Sequence, residues 1–270
     1  MSIAQAMALG VLQGLTEFFP ISSSGHLVVL PLLSGWEAQP LVFDTTLHLG
    51  TALALILFFW RDLCGIVKGF LGKGKNAVEN VRAKNMGLCL VVGSIPAGLV
   101  GLLFGGWFES SFRSVSWVAT FLILGSILMA LADARFRADA SEGADSEQGL
   151  SLKKSFKIGV FQVLALFPGF SRSGATISGG MLLGLNREAA ARFSFLLSIP
   201  VVLGAGILKG MTSLGDISTD LYWPLLVGFL SSFITGLACI KFLLKFLKKN
   251  DLDAFVVYRM LLAVVLILIT

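Results

Sequence analysis

Six stretches of this chain, at about residues 41–60, 86–107, 115–133, 190–210, 222–246 and 254–270, are apolar over lengths that cross a hydrocarbon core about 30 Å thick as single helices. The sequence therefore predicts six membrane spans. Only 14% of the residues are charged, against roughly 25% in an ordinary soluble domain, which leaves too few polar side chains to cover a globule of this size in water. Cytosolic, disordered, collagen-like and disulfide-scaffold classes are excluded together. The 30 glycines and 22 phenylalanines suit helices that pack closely in lipid, because small residues let backbones approach. Cys64, Cys89 and Cys239 lie in or beside apolar runs with no CxxC or Cys/His spacing, and are read as packing residues. The first twenty residues show no basic region before the apolar stretch and no small-residue cleavage site, so this segment is expected to be retained.

Two further regions, at about 2–34 and 155–186, are apolar but interrupted, by ISSSGH after Pro20 and by GFSRSGAT after Pro168. Proline removes a helix donor and disfavours helix in the residue before it. Each region reads as two short helices joined by irregular backbone, neither piece long enough to cross alone. Such backbone at membrane depth must face protein or a wet cavity.

Loop charges give an orientation, since cytoplasmic loops carry an excess of Lys and Arg. Residues 61–85 carry Arg61, Lys68, Lys73, Lys75, Arg82 and Lys84; residues 134–157 carry Arg135, Arg137, Lys153, Lys154 and Lys157; residues 241–251 carry four lysines. All three are assigned to the inside. Residues 105–116, with Arg113 alone, and residues 211–222, with no Lys or Arg, are assigned outside. The first broken segment then enters and leaves on the outer side, the second on the inner, and both termini lie outside. The net charge of +5 is explained by orientation; it forms no basic stripe for nucleic acid.

The two broken regions resemble each other. At an offset of 149, Gly10, Val11, Gln13, Phe18, Ser22, Ser24 and Gly25 fall on Gly159, Val160, Gln162, Phe167, Ser171, Ser173 and Gly174. A weaker match at an offset of 135 pairs Val92, Gly93, Gly101 and Leu102 with Val227, Gly228, Gly236 and Leu237. Three spans separate the copies, and an odd number requires that they be related by inversion. The expected fold is an all-α polytopic membrane protein of six transmembrane helices plus two re-entrant helical pairs in an inverted-topology repeat. Residues 1–133 form the first copy, 134–154 a cytoplasmic linker that includes the solvated tract ADASEGADSEQG, and 155–270 the second copy.

A charged group at the bilayer centre costs at least about 2.5 kcal/mol, so one beside a helix break is a functional candidate by default. Glu17, His26 and Arg172 qualify, with the hydroxyls of Ser22, Ser23, Ser24, Ser171, Ser173 and Thr176. The inverted arrangement brings Glu17, Ser23 and His26 toward Arg172 and Thr176. Each Ser-rich turn precedes a short helix, whose free N–H donors and dipole favour an anion. Arg172 adds a permanently charged fork suited to phosphoryl oxygens. His26 could serve as acid, base or nucleophile, Ser23 supplies a hydroxyl, and Glu17 could orient the histidine, take a proton or hold a divalent cation. Gln13 lies one turn before Glu17 on the same helix face. The combination suggests phosphoryl transfer. The bland readings are a structural Glu17–Arg172 bridge and serines that only cap backbone. His48 reads as a satisfied helical histidine, and Asp44, Asp133 and Arg61 as anchors at span ends. No GxxxxGK[ST], HExxH or GxSxG motif is present.

These residues resemble the undecaprenyl-diphosphate phosphatases, also called bacitracin-resistance proteins, over essentially the whole chain. QGLTEFFPISSSGH at 13–26 is similar to that family's (E/Q)xxxE element followed by PxSSxGH, and PGFSRSGAT at 168–176 to its PGxSRSxxT element. The resemblance implies removal of the terminal phosphate from undecaprenyl diphosphate, a polyprenyl lipid substrate, in a bacterial inner membrane, with the site opening outward. It implies functional positions at Gln13, Glu17, Ser23 and His26 and at Ser171, Arg172 and Thr176. With the reading of the two Ser-rich turns, the expected catalytic residues are Glu17, Ser23, His26 and Arg172, and the expected substrate contacts Gln13, Ser22, Ser24, Gly25, Ser171, Ser173, Gly174 and Thr176. Many members carry Glu where this chain has Gln13, so a two-carboxylate mechanism cannot operate unchanged. A single Glu17 can still help to bind Mg²⁺ or Ca²⁺ through the substrate's phosphates; no organic cofactor is implied. Ser23 and His26 stay open as alternative nucleophiles. Close packing surfaces could equally serve a homodimer among the membrane lipids. Transport is the rival class, because inverted repeats with broken helices also bind anions without chemistry.

Overall fold

In the computed structural model, which describes residues 1–112, 114–138, 149–213 and 219–269, every long regular element is an α-helix. Arg113, nearly all of the tract 138–149 and residues 214–218 of the turn without Lys or Arg lie outside the described residues. In chain order the helices are α1 (Ile3–Thr16), α2 (Ser23–Ser34), α3 (Leu41–Phe58), α4 (Trp60–Phe70), α5 (Ala77–Ser111), α6 (Val115–Ala138), α7 (Leu152–Val163), α8 (Arg172–Leu182), α9 (Arg187–Ser213), α10 (Tyr222–Phe246) and α11 (Asp253–Ile269). Five of them, α3, α5, α6, α9 and α10, are long and apolar enough to cross a membrane. The chain is an all-helical, multi-pass membrane protein. α11 covers the sixth apolar stretch with 17 residues.

The interrupted regions break where proline and serine interrupt them, into α1 and α2 and into α7 and α8. α1 opens on a capping box between Ser2 and Gln5. α2 and α8 open on Ser22 and Ser171, whose side chains accept from Gly25 N and Gly174 N at 3.4 and 3.1 Å. Both cap residues have positive φ, 77° and 78°, the only non-glycine residues to do so among those described. An L-residue holds that conformation only when its surroundings fix it.

Residues 61–85 are not a loop. They carry α4 and the first turns of α5, because their polar and apolar residues alternate at helical spacing. α4 exposes Trp60, Val67 and Phe70 and carries Arg61, Asp62 and Lys68. α5 has 35 residues, so at about 1.5 Å each it outruns a bilayer's apolar depth. Likewise α6 extends to Ala138 and α7 starts at Leu152, which shortens the expected linker from both ends.

Glycines set the closest helix approaches. A Cβ on Gly10 of α1 would lie 2.5 Å from the Gly228 carbonyl of α10, and one on Gly14 would lie 2.8 Å from the Ser232 carbonyl. On α7, Gly159 meets the Gly93 carbonyl of α5 in the same way. The first half of the chain thus packs α1 on α10, and the second half packs α7 on α5.

Ion pairs tie one end of the bundle together. Asp133, fully buried at the end of α6, holds Arg187 of α9 at 2.6 and 3.0 Å, so it is a buried cross-helix partner and not an interfacial anchor. Arg137 pairs with Asp253 at 2.9 Å and Asp251 at 3.5 Å, Lys248 with Glu188 at 3.0 Å, and Arg192 with Asp62. Residues from all three basic stretches meet at this end.

Candidate active site

The site is built on the two breaks. Glu17 caps the C-terminus of α1 and is 7% exposed. A carboxylate so withdrawn from water needs donors on both oxygens, and it has them. Its Oε2 accepts from Gln13 Nε2 at 3.1 Å and from the Ser23 hydroxyl at 2.8 Å, and its Oε1 accepts from Arg172 Nη2 at 2.8 Å. Gln13 reaches it because four residues span one helical turn, Ser23 because it starts α2 just past the break, and Arg172 because it starts α8 past the other break.

Arg172 divides its fork. Nη1 donates to the Ser194 carbonyl of α9 at 3.2 Å while Nη2 holds Glu17. Thr176, one turn on, donates to the Arg172 carbonyl at 2.8 Å and shares a 2.6 Å hydrogen bond with the Ser194 hydroxyl. Ser173 donates to the Phe19 carbonyl at 3.2 Å and so ties α8 to the first break. Ser22 and Ser171 each hold the hydroxyl two residues on, Ser24 at 3.3 Å and Ser173 at 3.2 Å. Ser23 is half-buried, and Ser24 is exposed. The first N–H groups of α2 and α8 have no intrahelical acceptor, a consequence of helix geometry. Together with the Arg172 guanidinium, which is bonded to Glu17 as Ser23 is, the two helix starts offer an anion several donors.

Of the residues singled out in the sequence, Gln13, Glu17, Ser23, Arg172, Ser173 and Thr176 come together; Ser22, Gly25, Ser171 and Gly174 form the two caps. His26 does not join them. Its Nδ1 bonds the Ser22 carbonyl and its Nε2 the Tyr258 hydroxyl of α11, both at 2.7 Å, so neither nitrogen hydrogen-bonds Ser23 or Glu17. His48 is a helical histidine satisfied by the Asp44 carbonyl at 2.8 Å, as its sequence suggested, and its Nε2 also stands 3.8 Å from Glu17. Ser194, Tyr258 and Arg259 were not foreseen. Tyr258 and Arg259 had a signal, polar residues inside the apolar stretch 254–270; Ser194, a serine among apolar neighbours, had none.

One acidic cluster among the described residues has carboxylate oxygens close enough to share a cation, that of Asp133, Asp251 and Asp253. Arg137 and Arg187 already bridge it, and it contains no residue of the site around Glu17.

Known proteins resemble the chain along its whole length. The family described as bacitracin resistance protein BacA matches residues 6–265. A protein of Methanosphaera stadtmanae named undecaprenyl-diphosphatase is 41% identical over 100% of this chain and 99% of its own. One of Geotalea daltonii with the same name is 42% identical over 96% and 95%, and one of Idiomarina loihiensis 39% over 100% and 99%.

Proposed function

The chain belongs to the bacitracin resistance protein family, and from that premise we propose that it is a membrane phosphatase that hydrolyses undecaprenyl diphosphate to undecaprenyl phosphate and inorganic phosphate. The reaction returns the lipid carrier to peptidoglycan synthesis and confers bacitracin resistance. One observation carries the reading to particular residues: a hydroxyl, a carboxylate and a guanidinium from two separate helix breaks meet within hydrogen-bonding distance.

In the mechanism proposed, the terminal phosphate lies at the starts of α2 and α8 against Arg172, with Thr176 holding the arginine's own backbone. Ser23 Oγ attacks the terminal phosphorus and its proton passes to Glu17 Oε2, to which it already donates. The bond from that phosphorus to the bridging oxygen breaks, and undecaprenyl phosphate leaves. Water then cleaves the phosphoserine and frees inorganic phosphate. The guanidinium and helix N–H groups oppose the charge that builds on the transferring oxygens. His26, held by Ser22 and Tyr258, shapes the first turn without taking the proton.

A cation fits this site in one respect. Gln13 Oε1 is buried with no hydrogen-bond partner, beside the Glu17 carboxylate. Mg²⁺ or Ca²⁺ held by Glu17, Gln13 Oε1 and the diphosphate would neutralise phosphate charge; Mg²⁺ suits so few protein ligands, since it is commonly held by one or two carboxylates plus substrate phosphates.

The same reading includes six spans, with α11 as the sixth, two re-entrant pairs, α1–α2 and α7–α8, and an inverted repeat. What supports the repeat is the glycine seams: Gly10 and Gly159 are repeat partners, as are Gly93 and Gly228, and Gly10 meets Gly228 where Gly159 meets Gly93. What supports a common cytoplasmic end is the meeting of the three basic stretches there. The first re-entrant pair would then open to the outside, where the substrate headgroup is expected.

The test is phosphate release from a C55 or C15 prenyl diphosphate by detergent-purified protein, with Arg172→Ala and an EDTA arm. Release that disappears in the variant is expected. A folded wild type that releases none, in Mg²⁺ and lipid, would overturn the enzyme and favour transport.

A further inference from the structure

Among the described residues Arg259 is the largest side chain with 0% exposure, and it sits within α11, whose other residues are apolar except Asp253 and Tyr258. It lies on the buried row formed by Phe255, Arg259, Ala263 and Leu266, which faces α6. A charge in such a place is costly, and its partners are the reason it can stay. All six are neutral. Nε donates to the Ser126 hydroxyl at 3.0 Å, Nη1 to the Pro20 carbonyl at 3.0 Å, and Nη2 is shared among the carbonyls of Phe121, Leu122, Gly169 and Phe170 at 3.0 to 3.3 Å.

Those partners fall into two groups. Ser126, Phe121 and Leu122 belong to α6. Pro20 belongs to the irregular backbone before Ser22, and Gly169 and Phe170 to that before Ser171. One guanidinium therefore fixes both turns at once, and does so by donating to the carbonyls of Pro20, Gly169 and Phe170, which lie in irregular backbone. In a trans peptide the N–H points away from the C=O, so carbonyls drawn to Arg259 turn the Phe170–Ser171 N–H away from it. Gly125 of α6 leaves the room this needs: a Cβ there would run into Arg259 Nη2 and the Phe170 carbonyl. The preceding residue, Tyr258, holds His26 on α2, so two consecutive residues of α11 grip the first break.

We infer that Arg259 is a positioning residue for the phosphatase, a latch that sets the separation of the two Ser-capped turns and so of Ser23 from Arg172. This rests on the hydrolytic reading. Its energy source is geometric: five donors in a rigid plane can reach two turns and a helix together, and a lysine ammonium cannot.

The experiment compares wild type, Arg259→Lys and Gly125→Ala, the second variant crowding the guanidinium without removing it. Steady-state phosphate release from a C15 diphosphate is measured beside amide hydrogen exchange of the peptides that contain residues 20–25 and 168–175. Expected are faster exchange in both turns together, with α3 and α10 unchanged, and a kcat lowered roughly a hundredfold while KM moves little, since a displacement of about 1 Å is enough for such a loss. A purely structural role would lower the amount of folded protein and leave the kcat of the folded fraction intact. Unchanged exchange in either turn, or a wild-type kcat in both variants, would overturn the latch. Wild-type protein that releases no phosphate would overturn the hydrolytic reading and with it the positioning role, a failure distinct from the first because the exchange data would still report whether the turns are coupled.

Discussion

Glu17 and Arg172 are 155 residues apart in the chain, and their carboxylate and guanidinium are 2.8 Å apart across the two helix breaks. The pair joins the two broken segments and leaves the arginine's other nitrogen on Ser194, so the guanidinium is held in one plane before any anion arrives. Preorganised charge of this kind is the main lever available for phosphoryl transfer, where the protein has little covalent chemistry to perform.

Arg172→Ala should therefore lower phosphate release by about a hundredfold or more. It also strands a nearly buried carboxylate, so it should cost about 3 kcal/mol of stability. Arg172→Lys separates charge from shape: one ammonium cannot replace a fork that reaches Glu17 and Ser194 together. The lysine variant should unfold close to the wild-type temperature and still be at least about tenfold slow. Phosphate-release assays and thermal unfolding in the same detergent decide this. A lysine variant with wild-type turnover would mean that charge alone suffices and the fork geometry is incidental.

The covalent intermediate should sit on Ser23. Its hydroxyl already donates to Glu17, whereas both nitrogens of His26 are engaged elsewhere. Rapid quench with a prenyl diphosphate labelled in its terminal phosphate, followed by peptide mapping, should place the label on the peptide containing Ser23. The label should be lost in Ser23→Ala and much reduced in Glu17→Gln. Label on His26 would sink the serine mechanism.

Five of the six expected spans were legible, as α3, α5, α6, α9 and α10, because an apolar run of helical length has few other uses, and the breaks were legible because proline and serine interrupt such runs for stated reasons. The amphipathic α4 was hidden because a run of charges suits a loop as well as a helix surface, although Arg61, Asp62 and Lys68 ride on helical spacing. Glu17, His26 and Arg172 could be named from cost alone, since charge beside a break is expensive unless used, and Ser23 from its place as a hydroxyl in the same break. The turn of His26 toward Tyr258 could not be read: it depends on where α11 packs, a contact across 232 residues. Arg259 carried the same signal as Arg172 but lies inside the apolar stretch 254–270 and not at a break, so it looked like part of an apolar run. Asp133 looked like an anchor because its partner, Arg187, is placed only by the tertiary fold.

Gln13→Glu should make turnover more dependent on divalent cation. In this chain the residue offers an unpartnered carboxamide oxygen beside Glu17, a neutral ligand where a second carboxylate would be a charged one. Hard cations bind more tightly as ligand charge rises, so the Mg²⁺ concentration for half-maximal activity should fall in the variant. Without metal the variant should be slower than wild type, because two carboxylates one turn apart repel. Titrating Mg²⁺ into EDTA-treated protein measures both effects. Identical titration curves would place any ion away from Gln13.

The glycine seams offer a test of the inverted repeat that does not depend on catalysis. Gly10→Ala drives a Cβ against the Gly228 carbonyl, and Gly159→Ala drives one against the Gly93 carbonyl. A backbone carbonyl cannot move aside as a side-chain tip can, so each change should cost about 1–3 kcal/mol through overpacking. Gly98, also inside α5, has nothing near the position of its Cβ. Gly98→Ala should be neutral or slightly stabilising, because alanine is the better helix former by up to about 1 kcal/mol. Thermal unfolding of the three variants in one detergent compares them directly. If the two seams are copies of one ancestral contact, Gly10→Ala and Gly159→Ala should lower the midpoint by similar amounts. A silent Gly159→Ala beside a damaging Gly10→Ala would show that the seams differ in closeness of packing, and would remove the main packing argument for the repeat.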